Sequence, residues 1–236
     1  MSEHLDRLAR AIGAAVGLDD AVSAWGRHLA VVLSSGGRLL ACGNGGSAAQ
    51  AQHLTAELSG RYRDDREPLS AIALSAEAPA LTAIGNDYGF DQAFARQVRA
   101  HGRLGDVLMM LSTSGRSQNL VEAAKAARET NMTTWALTGP APNPLADACD
   151  DAVTIAADRA ATVQEIHLAC VHMLCASVDA VLLGGAGDAP REVGTKLGPA
   201  VGPRVGPTVG GETAGETAGE TGGGRQPGRA LIGRTR

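Results

Sequence analysis

Residues 39–57 combine a glycine-rich turn with two side chains that could move protons or bind a metal ion. The turn, Gly43-Asn44-Gly45-Gly46-Ser47, follows a short apolar segment and precedes an alanine-rich segment with helical character. Glycine allows backbone N–H groups to approach an anion closely. His53 and Glu57 are four residues apart, so they lie on one face of the predicted helix. The segment therefore offers a ligand cradle, a possible metal ligand and a possible general base.

A second turn, rich in hydroxyl groups, lies between a continuous apolar segment and another predicted helix. The apolar segment, 106–111, has the length of a buried parallel strand, and the helix is predicted at 118–130. The turn between them reads Ser112-Thr113-Ser114-Gly115-Arg116-Ser117. Hydroxyl groups and free N–H groups at a helix N-terminus suit a phosphate, although an ordinary capped turn has the same composition.

A long, mostly apolar helix is predicted at 160–183, and it carries further side chains with chemical potential. His167 and His172 could act as proton donors or metal ligands, but buried, hydrogen-bonded core histidines would fit the same pattern. Gln164 and His172 are eight residues apart, or about 12 Å along one helix. Both therefore reach one ligand only if their side chains lean together or come from different chains.

Strand-like and helix-like segments alternate about five times around these motifs, which is typical of a parallel sheet covered by helices. Strands are predicted at 38–42, 69–74, 106–111, 132–137 and 153–156. Helices are predicted at 47–59, with Ser47 as N-cap, and at 78–84, 90–101, 118–130, 145–148 and 160–183, with a turn at 85–89. The sequence thus predicts an α/β fold with a doubly wound five-stranded parallel sheet. Ligands of such sheets bind beyond the carboxyl ends of the strands, where both turns lie.

The two ends of the chain differ from this central region. Apolar residues recur at helical spacing in residues 1–35, so an N-terminal helical arm is expected there, with a break near Gly17. Residues 36–183 form the predicted α/β domain. In residues 184–236 a Gly-Pro-x-Val unit and then a Gly-Glu-Thr-Ala unit repeat, with too few apolar residues to build a core. We expect a disordered low-complexity tail.

The composition excludes several classes of partner. A net charge of −4 and an aromatic content of 3% argue against a general nucleic-acid surface and against base stacking. The N-terminus lacks an apolar signal region, and no apolar run approaches about 18 residues, so we expect a cytoplasmic protein with no membrane partner. The four cysteines form no C-x-x-C pair and are expected to be buried free thiols.

Four separated motifs resemble one known family. The segments GNGGSAAQAQHLTAEL, AIGNDYGF, STSGRS and QEIHLACVH are similar, in that order, to the sedoheptulose 7-phosphate isomerases (phosphoheptose isomerases), which are built on the sugar isomerase (SIS) domain. The resemblance implies a homotetramer with active sites between subunits. It also implies conversion of sedoheptulose 7-phosphate to D-glycero-D-manno-heptose 7-phosphate, the first step of nucleotide-activated heptose synthesis, with one zinc ion per subunit.

The resemblance also assigns roles to residues of this sequence. Glu57 is the implied base and His172 the implied acid. The implied zinc ligands are His53, Glu57, Gln164 and His172. The implied sugar-phosphate pocket contains Asn44, Gly45, Gly46, Ser47, Glu57, Asn86, Asp87, Ser112, Thr113, Ser114, Ser117 and Gln164. Some family members carry an acidic residue where this chain has Ala161, so Thr162 or water would replace it in any proton transfer.

The chemistry of the reaction agrees with this assignment. Aldose–ketose isomerisation needs one group that moves a proton between carbons and another that handles oxygen protons, and a carboxylate with an imidazole suffices. Two alternatives remain at this point. A non-catalytic SIS protein, such as the paralogues that bind the replication initiator, typically lacks residues equivalent to Glu57 and His172. A sugar-phosphate sensor would normally carry a helix-turn-helix domain, which this sequence does not resemble.

Overall fold

The computed structural model describes residues 2–15 and 17–184, and its centre is a five-stranded sheet in which every strand pairing is parallel. The strands are β1 (Leu39–Gly43), β2 (Ala71–Ala73), β3 (Val107–Ser112), β4 (Thr133–Thr138) and β5 (Asp151–Thr154), in the spatial order β2-β1-β3-β4-β5. The predicted fold class is confirmed.

Eight α-helices surround this sheet in the described residues. They are α1 (Glu3–Ala14), α2 (Leu18–Ser34), α3 (Gly46–Ser59), α4 (Ala78–Tyr88), α5 (Ala95–His101), α6 (Gln118–Glu129), α7 (Pro144–Ala148) and α8 (Ala160–Leu182), with a 3₁₀ turn at Phe90–Gln92. The predicted break in the N-terminal helical region is confirmed, because Gly17 has a φ of 121° and precedes α2.

Side-chain alternation along the strands builds two hydrophobic cores, one on each face of the sheet. Leu39 and Ala41 of β1 face a core that includes α2, α3 and α8, whereas Leu40 and Cys42 face a core that includes α5 and α6. β3 is buried along its whole length, as its continuous apolar sequence predicts for a central strand. This double layer fixes the strand ends that carry both candidate turns.

Helix α8 is the element that most needs an explanation, because its length and hydropathy are sufficient for a membrane span. Its apolar residues instead pack within the fold: Val163, Ile166, Val171 and Leu174 all belong to the core beside α2 and α3. A buried core helix meets the same criteria as a membrane span, so α8 is weak evidence for one.

Three local predictions were wrong. Residues 85–88 belong to α4 rather than to a turn, because chain reversal is delayed until Gly89, whose φ is 83°. The predicted helix at 90–101 is divided into the 3₁₀ turn and α5. Ser47 is not an N-cap: Gly45 takes that position with φ 55° and ψ −122°, and α3 begins one residue earlier than predicted. Strand boundaries also shift: β2 is shorter than predicted, and β5 ends at Thr154.

The four cysteines are buried free thiols, as predicted. Burial raises the pKa of Cys149 and Cys175 to about 12 and that of Cys170 to about 11. All three therefore remain protonated at neutral pH and are poor nucleophiles. The predicted tail at 184–236 lies outside the described residues, apart from Gly184.

Candidate active site

The strand order creates a crevice between β1 and β3. From β1 the chain passes through α3 to β2 on one side, and from β3 it passes through α6 to β4 on the other. Since α3 and α6 cover opposite faces of the sheet, the loops that leave β1 and β3 diverge. In open α/β sheets this is the position where ligands bind. Both motif turns, 43–47 and 112–117, lie there.

The glycine-rich turn presents the N-terminus of α3. Gly45 adopts φ 55° at the N-cap position, a left-handed conformation that favours glycine, and no side chain caps the helix. Gly46 allows the side chain of Gln164 to approach α3 closely, because a Cβ at this position would lie 2.8 Å from Nε2 of Gln164. Gln50 Nε2 also donates a hydrogen bond to the Gln164 carbonyl oxygen at 2.6 Å. The first turn of α3 and the first turns of α8 are thereby held together.

In the hydroxyl-rich turn, some side chains form hydrogen bonds within the turn and others are available to a ligand. Ser112 is buried, and its Oγ accepts a hydrogen bond from the Gly115 N–H at 3.0 Å, which closes the turn. Ser114 Oγ accepts a weaker one from the Arg116 N–H at 3.2 Å. Ser117 is the N-cap of α6 but makes no side-chain capping bond, so its hydroxyl can serve a ligand. Thr113 is partly exposed beside them.

The side-chain amides of Asn44 and Asn119 join the two turns. Asn119 was not among the predicted site residues. Asn44 Nδ2 donates to Asn119 Oδ1 at 3.0 Å, and Asn119 Nδ2 donates back to Asn44 Oδ1 at 2.9 Å. Asn119 lies in the first turn of α6 and is 2% exposed. Asn44, predicted to contact substrate, thus uses its side chain to align the turns. Nothing in the sequence around Asn119 indicated this role.

Asn86 and Asp87 are placed differently from the other predicted pocket residues. Both are exposed on α4, where Asn86 Nδ2 donates to Asp87 Oδ1 at 2.8 Å. A cavity of about 370 Å³ does connect the glycine-rich turn with α4, through Leu81, and with Phe90 and Phe94, but neither Asn86 nor Asp87 lines it.

Ser75 lines this cavity and was also missed by the sequence analysis. Its Oγ is buried and has no hydrogen-bond partner among the described residues. A buried hydroxyl without a partner is costly, so this group is a candidate contact for a polar ligand.

The candidate acid–base groups converge within one chain. His53 Nε2 lies 3.0 Å from Glu57 Oε1 on α3, and His172 Nε2 of α8 lies 3.4 Å from His53 Nε2. The side chains of His53 and Glu57 are 39% and 24% exposed, so they combine partial burial with access from solvent. The ring of Tyr62 lies 5.8 Å from that of His172. Burial raises the pKa of the Tyr62 phenol, with the Cys175 thiol as a further cause, so it stays protonated.

Part of this arrangement fits a zinc ion. Two nitrogens bound to one tetrahedral zinc at 2.0–2.1 Å are about 3.4 Å apart, which matches the separation of the His53 and His172 Nε2 atoms. Glu57 would be a suitable third donor. Across residues 2–15 and 17–184, however, no three His, Cys, Asp or Glu side chains already surround a single point. The contacts of Gln164 are to Gly46 and Gln50, near the other end of α3.

His167 does not join these groups. It is fully buried, and its Nε2 donates to the Thr138 carbonyl oxygen at 3.2 Å. Burial lowers the pKa of His167 to about 4, so the imidazole is neutral in the native state. This residue is the buried core histidine that the apolar helix allowed as an alternative, although its Nδ1 has no hydrogen-bond partner among the described residues.

Comparisons with known proteins agree with the fold and with the family that the motifs resemble. The SIS domain family matches residues 5–139. A phosphoheptose isomerase from Streptomyces coelicolor is 62% identical over 182 residues, which cover 77% of this chain and 79% of that protein. Among solved structures, a phosphoheptose isomerase from Neisseria gonorrhoeae superposes with a TM-score of 0.70 at 42% identity. That superposition covers 75% of this chain and 95% of the other.

A second solved structure, a phosphoheptose isomerase from Francisella tularensis, has a TM-score of 0.71 at 35% identity and covers 75% of this chain and 94% of its own. These matches confirm the resemblance that the four sequence motifs indicated. The chain belongs to the phosphoheptose isomerase family of SIS-domain proteins.

Proposed function

We propose that this protein is a sedoheptulose 7-phosphate isomerase that produces D-glycero-D-manno-heptose 7-phosphate for nucleotide-activated heptose synthesis. The observation that carries the proposal is the contact of Glu57, His53 and His172 at one site in a single chain. The relative at 62% identity, which is named a phosphoheptose isomerase, supports the same reaction.

Glu57 and His172 divide the proton transfers. The Glu57 carboxylate removes a proton from C-1 of the ketose and returns it to C-2, through an enediolate. His172 exchanges the protons of the O-1 and O-2 oxygens. His53 lies between them and orients the carboxylate through its 3.0 Å contact. Partial burial of Glu57 leaves an entrance for the sugar and for solvent.

The phosphate and sugar hydroxyls are bound by the two turns. At the N-terminus of α3, where no side chain caps the helix, the backbone N–H groups of Gly45 and Gly46 suit an anion, whereas the Ser47 N–H already donates to the Asn44 carbonyl oxygen at 3.0 Å. Across the crevice, Thr113, Ser114 and Ser117 offer hydroxyls. We assign Ser112 and Asn44 to shaping these turns, and Gln164, Asn86 and Asp87 to contacts with the sugar.

The zinc assignment extends this proposal. His53, Glu57, Gln164 and His172 would hold one ion per subunit, and the ion would stabilise negative charge on the substrate oxygens. The 3.4 Å separation of the two Nε2 atoms supports it, whereas the position of Gln164 requires that side chain to move. Elemental analysis of protein purified without added zinc tests it: about one zinc per chain is expected, and His172→Ala should lose it. A metal-free, fully active wild type would refute the assignment.

A homotetramer with active sites at subunit contacts is the assembly we propose. Apolar side chains support it: Leu5, Ile12, Tyr88 and Phe90 are about half or more exposed. Phe90 lines the cavity next to the glycine-rich turn, and a second copy packed against Phe90 and Tyr88 would extend that cavity toward Asn86 and Asp87, which do not line it within one chain. Sedimentation equilibrium should give four chains per particle, and a monomer with full activity would refute the assembly. We also propose a cytoplasmic location, in keeping with four free thiols, to be tested by cell fractionation.

The reaction is tested by incubating purified protein with sedoheptulose 7-phosphate and identifying the heptose product. Glu57→Gln should lower kcat by roughly 10²–10⁴-fold and leave KM nearly unchanged. Glu129→Gln, an exposed glutamate on α6, is the matched control and should behave like wild type. Binding of the sugar phosphate without turnover by wild type would refute the isomerase and favour a non-catalytic SIS protein.

A further inference from the structure

The charged loop between α3 and β2, residues 60–70, folds back onto the end of α3. Its residue Arg66 has a side chain only 3% exposed. Nη2 donates to the Glu57 carbonyl oxygen at 2.8 Å, and Nη1 donates to the Leu58 carbonyl oxygen at 2.9 Å. Nε donates to Oδ1 of Asp179 on α8 at 2.7 Å. One guanidinium therefore binds both helices that carry the proposed reacting groups.

The contacts of Arg66 to α3 are made at the C-terminus of that helix, where carbonyl groups lack hydrogen-bond donors. The last four carbonyl groups of a helix lack partners within it, and a cation is favourable at that end. The Ala56 carbonyl accepts from the Gly60 N–H at 2.8 Å, and that of Leu58 also accepts from the Leu69 N–H at 3.0 Å. Arg66 satisfies the Glu57 carbonyl between them. The final turn of α3, and with it the Cα of Glu57, is thereby fixed.

The contact of Arg66 with Asp179 joins α3 to α8 at a second place, in addition to the contact between His53 and His172. Asp179 lies seven residues after His172, which places it two turns along on the same face of α8, about 10 Å away. Its side chain is 7% exposed, so the ion pair is almost completely buried. Helices α3 and α8 are thus joined twice, by His53 with His172 and by Arg66 with Asp179. Tyr62, in the same loop, adds its ring beside His172.

We infer that Arg66 and Asp179 are positioning residues for the isomerase reaction: their buried ion pair sets the spacing between the helices that carry Glu57 and His172. This inference rests on the proposed function. Neither side chain has to touch the substrate, since Arg66 acts through the backbone of Glu57 and Asp179 acts through α8. The pair lies at the end of α3 opposite to the phosphate cradle, so it affects the reacting groups more than binding.

Conservative variants separate positioning from simple stability. Lysine has one ammonium group and cannot donate from three nitrogens in a planar arrangement, so Arg66→Lys loses contacts to α3 or to Asp179. Asp179→Asn keeps an oxygen for Arg66 Nε. We expect Arg66→Lys to lower kcat at least about tenfold with KM within about threefold, and Asp179→Asn, which keeps the hydrogen bond but removes the charge, to lower kcat less than Arg66→Lys does. Arg99→Lys, at an exposed ion pair between α5 and α6, is the control and should change neither.

A second measurement does not depend on turnover. Long-range ¹H–¹⁵N spectra of the full-length protein report the six imidazoles, and Arg66→Lys should shift the signals of His53 and His172 while those of His28 and His101 stay in place. Circular dichroism checks that each variant is folded. If Arg66→Lys does not fold, the Arg66→Met/Asp179→Leu double variant, which leaves no unpaired buried charge, is measured in its place.

The possible results discriminate between the proposals. A folded Arg66→Lys variant with wild-type kcat, or with unmoved His53 and His172 signals, overturns the inference. Absence of turnover in wild type refutes the proposed function instead, and the imidazole signals alone then decide whether the ion pair positions these side chains.

Discussion

The buried imidazole of His167 makes stability depend on pH in a way that can be calculated. Its pKa is about 4 in the native state, because burial disfavours the charged form, and about 6.5 in the unfolded chain. The unfolded state therefore binds more protons than the native state below pH 6.5. Stability from this residue is complete above pH 6.5 and is lost as the pH falls toward 4.

The size of the effect follows from the two pKa values. Between pH 7 and pH 5, the free energy of unfolding should fall by about 2 kcal/mol through this residue alone, and by about 3 kcal/mol at pH 4. His167→Gln removes the titrating group but keeps an N–H that can donate to the Thr138 carbonyl oxygen. It should be less stable than wild type at pH 7, and the difference should shrink on acidification.

The assay is urea unfolding of both proteins at several pH values from 7 to 5. The difference between the two curves cancels the titration of every other group, provided that these groups titrate alike in both proteins. Parallel curves, with a constant difference across this range, would refute the claim that His167 is held neutral by burial.

Two further predictions concern the cradle. Gly46→Ala places a methyl group against the Gln164 carboxamide, which can move, so stability should change little. The KM for the sugar phosphate should rise on the order of tenfold, or about 1.4 kcal/mol. An unchanged KM would contradict the claim that the glycine-rich turn binds the sugar phosphate. Asn119→Ala leaves the Asn44 amide without its two bonds and should lower the free energy of unfolding by about 1–3 kcal/mol. Adding Asn44→Ala should cost less than its separate effect, and strictly additive costs would show that the amides do not interact.

Local patterns were sufficient to predict the elements that the site depends on. The i, i+4 spacing of His53 and Glu57, the glycine-rich turn and the apolar run of β3 each report on a few neighbouring residues, and each is placed as predicted. The predicted turn at 85–89 was wrong because it also rested on a local pattern. Gly85, Asn86 and Asp87 are weak helix formers, but α4 continues through them to Gly89.

Long-range contacts could not be read from local patterns. The approach of His172 to His53 spans 119 residues and was expected only through family resemblance. The ion pair of Arg66 with Asp179 and the amide pair of Asn44 with Asn119 join residues that are 113 and 75 positions apart. In the sequence alone, Arg66 resembles an ordinary solvated charge in a loop and Asp179 a charge on a helix. Asn44 and Asn119 resemble ordinary polar residues near turns. Only the packing of α8 on α3, and of α6 beside the glycine-rich turn, gives them roles.

The most direct test of proton transfer by Glu57 is the reaction carried out in D₂O. The Glu57 carboxylate exchanges its proton with solvent while it holds it, so the heptose product should carry deuterium at C-2, detected by mass spectrometry and NMR. Glu57→Gln should form labelled product roughly 10²–10⁴-fold more slowly than wild type. Product formed by wild type with only protium at C-2, or labelled product formed by Glu57→Gln at the wild-type rate, would contradict the account.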